Sequence, residues 1–360
     1  MKHLKVVVYA ISKNEAKFAE RWAKSMMEAD EVIVLDTGST DNTVEILRNN
    51  NVTVYQSIIT PWRFDVARNE SLAKVPLDTD ICVCTDLDEV FEVGWREKLE
   101  NYWQKDTTRA KYNYNWKLDE DNNPKVSFWI DKIHGRDNYS WQHPVHEVLT
   151  SQKEEKYIEV PITLNHYPDN SKSRSSYLPL LELSVKENPD DDRNLHYLGR
   201  EYMFYQQWDK SIQTLHQHLK CPKATWKDER SASMRFIARA YFMKDYYEES
   251  EFWLKKAIEE APYLREGYIE LANLYNNQER FEESYQLLKK ALEIKEKSKS
   301  YINEEFAWNE TIYDLLSIAC FYTKRYQEAV FYCKEAIIIN NTNPRYQTNL
   351  ELMLPYSISI

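Results

Sequence analysis

The chain has 360 residues and carries 58 Asp and Glu against 47 Lys and Arg, a formal net charge of −11. That balance argues against a general binder of nucleic acid or of anionic membranes, both of which call for a basic surface. The five glycines, Gly38, Gly94, Gly135, Gly199 and Gly267, fit neither a GxGxxG fingerprint nor a GxxxxGK(S/T) loop, which excludes a glycine-fingerprint dinucleotide fold and a P-loop NTPase.

Short, β-branched apolar runs recur in the first half: Lys5 to Tyr9, Glu31 to Leu35, Val52 to Tyr55 and Ile81 to Cys84. Their continuity suits strands buried on both faces. Between the first two, Phe18, Trp22 and Met26 recur at i, i+4 and i+8, and Thr43 to Leu47 reads as a second helix. This alternation predicts a right-handed wound parallel sheet, whose ligands bind beyond the carboxyl ends of the strands. Next, Tyr112, Tyr114 and Trp116 alternate with Asn113 and Asn115; a polar turn from Asp119 to Pro124 follows, and Val126, Phe128 and Ile130 alternate again. That pattern predicts an antiparallel hairpin.

Beyond about Asn170 the strand signals stop and a helical repeat begins. An aromatic, two polar residues and Ser or Ala recur at Trp208, Tyr247, Phe281 and Tyr326, and nine residues before each aromatic stands a small residue: Gly199, Ala238, Ala272 or Ser317. The small-residue spacings are 39, 34 and 45, so two connections are longer than in a regular 34-residue tetratricopeptide (TPR) unit. The expected fold class is an α/β N-terminal domain with a Rossmann-like mixed sheet over 1–170, followed by an all-α TPR solenoid over 171–360. The five cysteines include no CxxC pair, no run approaches the ~20 apolar residues of a membrane span, and the apolar run Val6 to Ile11 is too short for a signal peptide. A cytoplasmic location is the expectation.

The chemistry is sought at the strand ends. Asp36 follows the second run; its carboxylate can accept from a base N–H, or it can close a turn in which Ser39, Thr40 or Asp41 caps the next helix. Asp86-Leu87-Asp88 directly follows the fourth run, whereas the acidic triplets at Asp78, Asp119 and Asp190 sit in polar stretches and read as solvated loops. Two carboxylates at a strand end need a cation, and Mg²⁺ or Mn²⁺ shared with a diphosphate suits oxygen ligands. Arg68 can reach a phosphate or pair with Asp65. His143 and His146 invite a zinc reading, but no cysteine is near and Pro144 breaks the helix face, so a single histidine completing an oxygen-rich site is more economical.

The segments Ala10 to Glu15, Leu35 to Asp41, Phe64 to Asn69, Asp86 to Glu89 and Val145 to Glu147 occur in the order seen in family-two glycosyltransferases. The chain resembles most the branch in which a GT-A catalytic domain precedes TPR repeats, which includes lipopolysaccharide-core and bacteriocin-peptide glycosyltransferases. The resemblance implies transfer of a hexose or N-acetylhexosamine from a UDP-sugar, with inversion. The acceptor would be a peptide or protein side chain positioned by the repeats, or alternatively a glycan. It implies a nucleotide-sugar site at Ala10, Ile11, Ser12, Glu15, Asp36, Arg68, Asp86 and Leu87, and Mn²⁺ or Mg²⁺ held by Asp86, Asp88 and His146. Glu147 is the first choice for catalytic base and Asp137 the second. Tyr112, Tyr114, Trp116, Trp129 and Trp141 are candidates to stack on sugar faces. The competing reading is a non-catalytic TPR scaffold. A homodimer through the repeat region is expected from Tyr356 and the apolar tail Ile358-Ser359-Ile360.

Overall fold

The computed structural model describes residues 3–169 and 175–358. It divides into two compact units, Met1–Ser184 and Val185–Ile360. The division falls later than the 170/171 boundary expected from the end of the strand pattern, because the helix Tyr177–Glu187 begins in the first unit. There the Tyr177 ring meets Phe64 and His146 edge-on, at 6.1 and 5.7 Å between centroids.

In the first unit, strands β1 (Val6–Ser12), β2 (Glu31–Asp36), β3 (Thr53–Gln56) and β4 (Ile81–Cys84) are all parallel, as expected. Helices α1 (Ala16–Met26), α2 (Thr43–Asn49) and α3 (Phe64–Lys74) connect them. A short strand β5 (Glu89–Phe91), helix α4 (Trp95–Tyr102), and strands β6 (Arg109–Leu118), β7 (Pro124–Gly135) and β10 (Tyr157–His166) complete a mixed eight-stranded sheet. Its order is β3-β2-β1-β4-β7-β6-β10-β5; β8 (Tyr139–Gln142) and β9 (Val148–Ser151) pair separately.

The pleat of β1 explains its unbroken apolar run. Val6, Val8 and Ala10 face α1 with its Phe18, Trp22 and Met26, while Val7 and Tyr9 face Leu72, Cys82, Cys84 and Trp141 on the other side. Every side chain of such a strand is buried, so no polar alternation survives. The hairpin β6/β7 forms where the aromatic alternation placed it. It carries an irregularity: Ala110 faces Ile133 and Tyr112 faces Ile130, so Asp131 and Lys132 stand together against Lys111. Such a bulge re-aims side chains. Asp131 turns to Arg109, and Lys132 reaches the end of β4.

Helix α5 (Tyr177–Glu187) spans the division, and the second unit continues with four helix pairs. These are α6/α7 (Asp192–Phe204, Trp208–Lys220), α8/α9 (Lys227–Phe242, Tyr247–Glu260), α10/α11 (Arg265–Asn277, Phe281–Glu293) and α12/α13 (Thr311–Tyr322, Tyr326–Ile339), followed by α14 (Pro344–Ile358). The small residues lie where helices touch: a Cβ on Gly199 would come within 2.4 Å of Leu215 Cγ, and Ala238 and Ala272 are buried. The 45-residue spacing becomes a long α11–α12 connection with one 3₁₀ turn at Glu305–Ala307. Tyr356 packs on Phe321 and Tyr326, at 5.2 and 5.3 Å; Ser359 and Ile360 of the expected dimer tail lie outside the described residues.

Candidate active site

The parallel strands deliver their carboxyl ends to one edge of the sheet, and two kinds of polar structure form there. The first stitches loops together. Asp36, paired in register with Ser12, is fully buried and accepts four hydrogen bonds. These come from Ser12 Oγ (3.0 Å), the amides of Gly38 (3.2 Å) and Ser39 (3.0 Å), and the Ser39 hydroxyl. Its lone pairs are committed to its own turn, so the turn-closing role is the one the structure shows. Asp41 accepts from Thr43 of α2 and, through its other oxygen, from the Ala16 amide at the start of α1. Ala10 is buried with its carbonyl bound by Ser71 Oγ, Leu87 belongs to the apolar core, and Ile11 and Glu15 are half-buried.

The second is an alternating chain of charges assembled from four distant segments. Arg68, on the buried face of α3, donates from Nη2 to Asp86 Oδ1 (2.7 Å) and from Nε to Glu147 Oε1, with Trp141 beneath its guanidinium at 5.1 Å. Asp65, its alternative partner on the helix, pairs with Arg63 instead. Lys132 Nζ lies 3.1 Å from Asp86 Oδ2 and 3.5 Å from Glu89 Oε1, and Glu89 accepts the Asp86 amide at 2.9 Å. The order is therefore Glu147–Arg68–Asp86–Lys132–Glu89. Burial by itself would raise the Asp86 carboxyl, but Arg68 and Lys132 outweigh it and hold that carboxyl well below the usual range. Burial dominates at Glu89, whose pKa is raised. Burial opposes charge on Lys132, yet Asp86 and Glu89 keep it protonated, with its pKa raised.

Asp88 stands apart from this chain. Its carbonyl accepts the Tyr167 amide, and its carboxylate Oδ2 lies 3.3 Å from Nε2 of His166, the last residue of β10. The other ring nitrogen of His166, Nδ1, faces the Trp116 carbonyl at 3.0 Å, and the Trp116 indole stacks on the imidazole at 4.5 Å. With Nδ1–H donating to that carbonyl, neutral Nε2 presents a lone pair to a carboxylate. Two acceptors at that distance need a proton or a cation between them. Burial disfavours a charged His166, and the Asp88 carboxylate overrides it, raising the pKa.

The expected metal set of Asp86, Asp88 and His146 is thus not gathered as written. Asp86 is neutralised by two cations, and the His146 ring lies edge-on to Tyr177 in a left-handed backbone conformation, φ 50°. Among the described residues no group of three His, Cys, Asp or Glu forms a metal cluster. The Asp88–His166 pair does fit a hard divalent ion: a carboxylate oxygen and an imidazole nitrogen fixed by its backbone hydrogen bond, with substrate phosphates supplying the remaining ligands.

The two proposed bases part company. Glu147 joins the site through Arg68, which donates from Nε to its Oε1. Asp137 is exposed two residues past Gly135, which pairs with Ile81 at the beginning of β4, so it lies at the opposite end of the sheet. Of the aromatic candidates, Tyr112, Tyr114 and Trp141 are buried core; Trp129 is half-buried and Trp116 is half-exposed. Sequence reasoning missed Lys132, Glu89 and His166. The signal for His166 was present: Ile158, Val160, Ile162, Leu164 and His166 form one alternating series. Lys132 likewise continues the series Val126, Phe128, Ile130.

A mixed sheet with acidic and imidazole groups at its carboxyl edge, followed by paired helices, defines an α/β domain joined to a helical repeat. Residues 7–152 match the model of glycosyl transferase family 2, and residues 268–298 match that of the tetratricopeptide repeat. The chain thus carries a glycosyl transferase family 2 domain followed by a TPR region. No protein of curated function matches the chain. Among solved structures it is similar to a chain of the APC/C hetero-tetramer, with 13% identity, 51% of this chain and 33% of that one covered, and a TM-score of 0.42. It is also similar to MamA from Desulfovibrio magneticus RS-1 (10% identity, 46% and 85% covered, TM-score 0.38) and to a thermophilic TPR protein of Thermus thermophilus (18% identity, 50% and 90% covered, TM-score 0.35). The chain spans about a third of the length of the first of these.

Proposed function

We propose that the first unit moves a hexose or N-acetylhexosamine from a UDP-sugar to a peptide or protein side chain, with inversion, and depends on Mn²⁺ or Mg²⁺. The observation that carries this reading is the Asp88–His166 contact, a carboxylate oxygen and an imidazole Nε2 3.3 Å apart at the carboxyl edge of the sheet. The divalent ion, when bound by Asp88 and His166, supplies Lewis-acid neutralisation of the charge that develops on the departing UDP. The chain's own residues do the rest. Arg68 and Lys132 keep Asp86 ionised and fixed beside the diphosphate, and Lys132, the less buried of the two, adds a positive charge on the same side. Arg68 also holds Glu147 by Oε1, which leaves Oε2 to accept the acceptor's proton as its hydroxyl or thiol attacks. Half-exposed Trp116, stacked on His166, presents an aromatic surface beside the site. The TPR region positions the acceptor, and its α14 end serves a homodimer that light scattering across concentrations would reveal.

The test is UDP release from UDP-hexoses with Mn²⁺ and an acceptor peptide pool. Asp88→Asn and His166→Ala should each lower the rate about a hundredfold or more, and Glu147→Gln should lower it while leaving UDP binding intact. Wild-type rates in both Asp88→Asn and His166→Ala would overturn the assignment. Among the described residues no helix is long and apolar enough to cross a membrane.

A further inference from the structure

On the face of the sheet covered by α3, three buried side chains form a hydrogen-bonded line that the transfer chemistry does not touch. They are Tyr9 of β1, His134 of β7 and Trp141 of β8, none more than 3% exposed. The Tyr9 hydroxyl lies 2.8 Å from His134 Nε2 and accepts the Trp141 indole N–H at 3.0 Å. The other ring nitrogen of His134, Nδ1, lies 2.7 Å from the Gly135 carbonyl.

Every proton in this line has one place to be. An indole nitrogen only donates and a carbonyl only accepts. Trp141 therefore gives its proton to the Tyr9 oxygen, and His134 gives its own, on Nδ1, to Gly135. The lone pair on Nε2 is left to take the Tyr9 O–H. The line runs from Trp141 to Tyr9 to His134 to Gly135, and it requires a neutral imidazole protonated at Nδ1. Burial supplies that neutrality, pushing the His134 pKa down to about 3.

The line ends at the floor of the candidate site. The Trp141 ring lies beneath the Arg68 guanidinium at 5.1 Å. The Trp141 backbone is clamped to the next residue of α3: Asn69 accepts its amide at 2.8 Å and donates to its carbonyl at 2.8 Å. Arg68 in turn holds Asp86 and Glu147. A guanidinium presents its donors as a rigid planar fork, so a tilt of that plane moves both carboxylates.

We propose that Tyr9 and His134 are positioning residues for Arg68: their one-way hydrogen bonds lock the Trp141 indole in the plane that sets the guanidinium, and with it the spacing of Asp86 and Glu147. Neither residue touches the reacting atoms. The catalytic consequence rests on the transfer reading above, whereas the placement of Arg68 does not depend on it.

Two measurements on the full chain need no turnover. Nitrogen NMR of the labelled wild-type protein at about pH 7.5 should show His134 as the neutral Nδ1–H tautomer, assigned by loss of its signal in His134→Gln. A ring protonated at Nε2, alone or with Nδ1, would overturn the proposal. In Tyr9→Phe, exchange of the Arg68 Nε–H should speed up about tenfold. The Trp22 indole N–H, buried on the opposite face of the sheet and donating to Thr85 at 3.0 Å, should keep its rate. Unchanged exchange at Arg68 would sink the assignment, and so would equal acceleration at both sites, which marks general loosening. In UDP release, Tyr9→Phe should lower kcat about tenfold with KM for the UDP-sugar nearly unchanged. In an Arg68→Lys background the same change should have no further effect, and a second tenfold loss there would count against action through Arg68. A wild-type chain that releases no UDP would remove the transfer reading, and the two NMR results would still decide what sets Arg68.

Discussion

Both units bury arginines among carboxylates, and they do so in different ways. In the first, Arg68 alone joins Asp86 and Glu147, which come from the β4 end and from the segment before β9. In the second, Arg235 and Arg239 stand one turn apart on α8 and share Glu270 and Glu304. A strand edge collects single side chains from distant segments, so each is irreplaceable. A helix presents a row from one segment, so neighbours back each other up.

The sharpest way to break this comparison is to remove one guanidinium from each unit. Arg68→Met leaves Glu147 without its cation and Asp86 with Lys132 alone, and should cost about 3–5 kcal/mol of stability. Arg235→Met should cost less than about 2 kcal/mol, since Arg239 still holds both partners. Denaturant unfolding of the full chain measures both, and equal losses would remove the distinction. The next effect should be shared by the two units. Burial pushes His134 in the first and His196 in the second down to about 3, so both are neutral in the native protein. The unfolded chain takes up these protons below about pH 6.5, so stability is full above that pH and falls as pH drops toward 3. Each histidine should cost about 2 kcal/mol by pH 5. A flat urea midpoint between pH 7.5 and 5 would contradict this. Smaller again is Gly199→Ala, whose Cβ meets Leu215 and should cost about 1–3 kcal/mol, read as a lowered melting temperature. Smallest is Asp191→Ala. Its side chain accepts the Asn194 amide at 2.8 Å to cap α6, and the loss should be about 1 kcal/mol in the same melt.

Much of the fold was legible because periodicity reports burial. Runs such as Val6–Val7–Val8–Tyr9 are apolar on both faces of the sheet, and the small residues at Gly199, Ala238 and Ala272 mark where helices touch. The site was legible in part. The strand-end rule drew attention to Asp86 and Asp88, and the structure puts both at that edge. Asp36 also lies there, but a turn that folds back on its own carboxylate looks the same in sequence as one left open. His166 was missed because attention stayed on the acidic triplet, although its place in an inward-facing series was readable. Asp137 could not be placed, since a residue just past a strand is at one end of the sheet or the other according to strand direction.

By itself the sequence determined the order of elements, the parallel core, the repeat and the carboxylates at the end of β4. Local pattern and short-range sterics set these, and both are written in neighbouring residues. Only the tertiary structure decided partners: Arg68 with Glu147 across 79 positions, Lys132 on Asp86, and His166 rather than His146 beside Asp88. Those pairings depend on sheet order, strand direction and a single extra residue in β7, and a one-dimensional pattern has no means of stating which edge meets which.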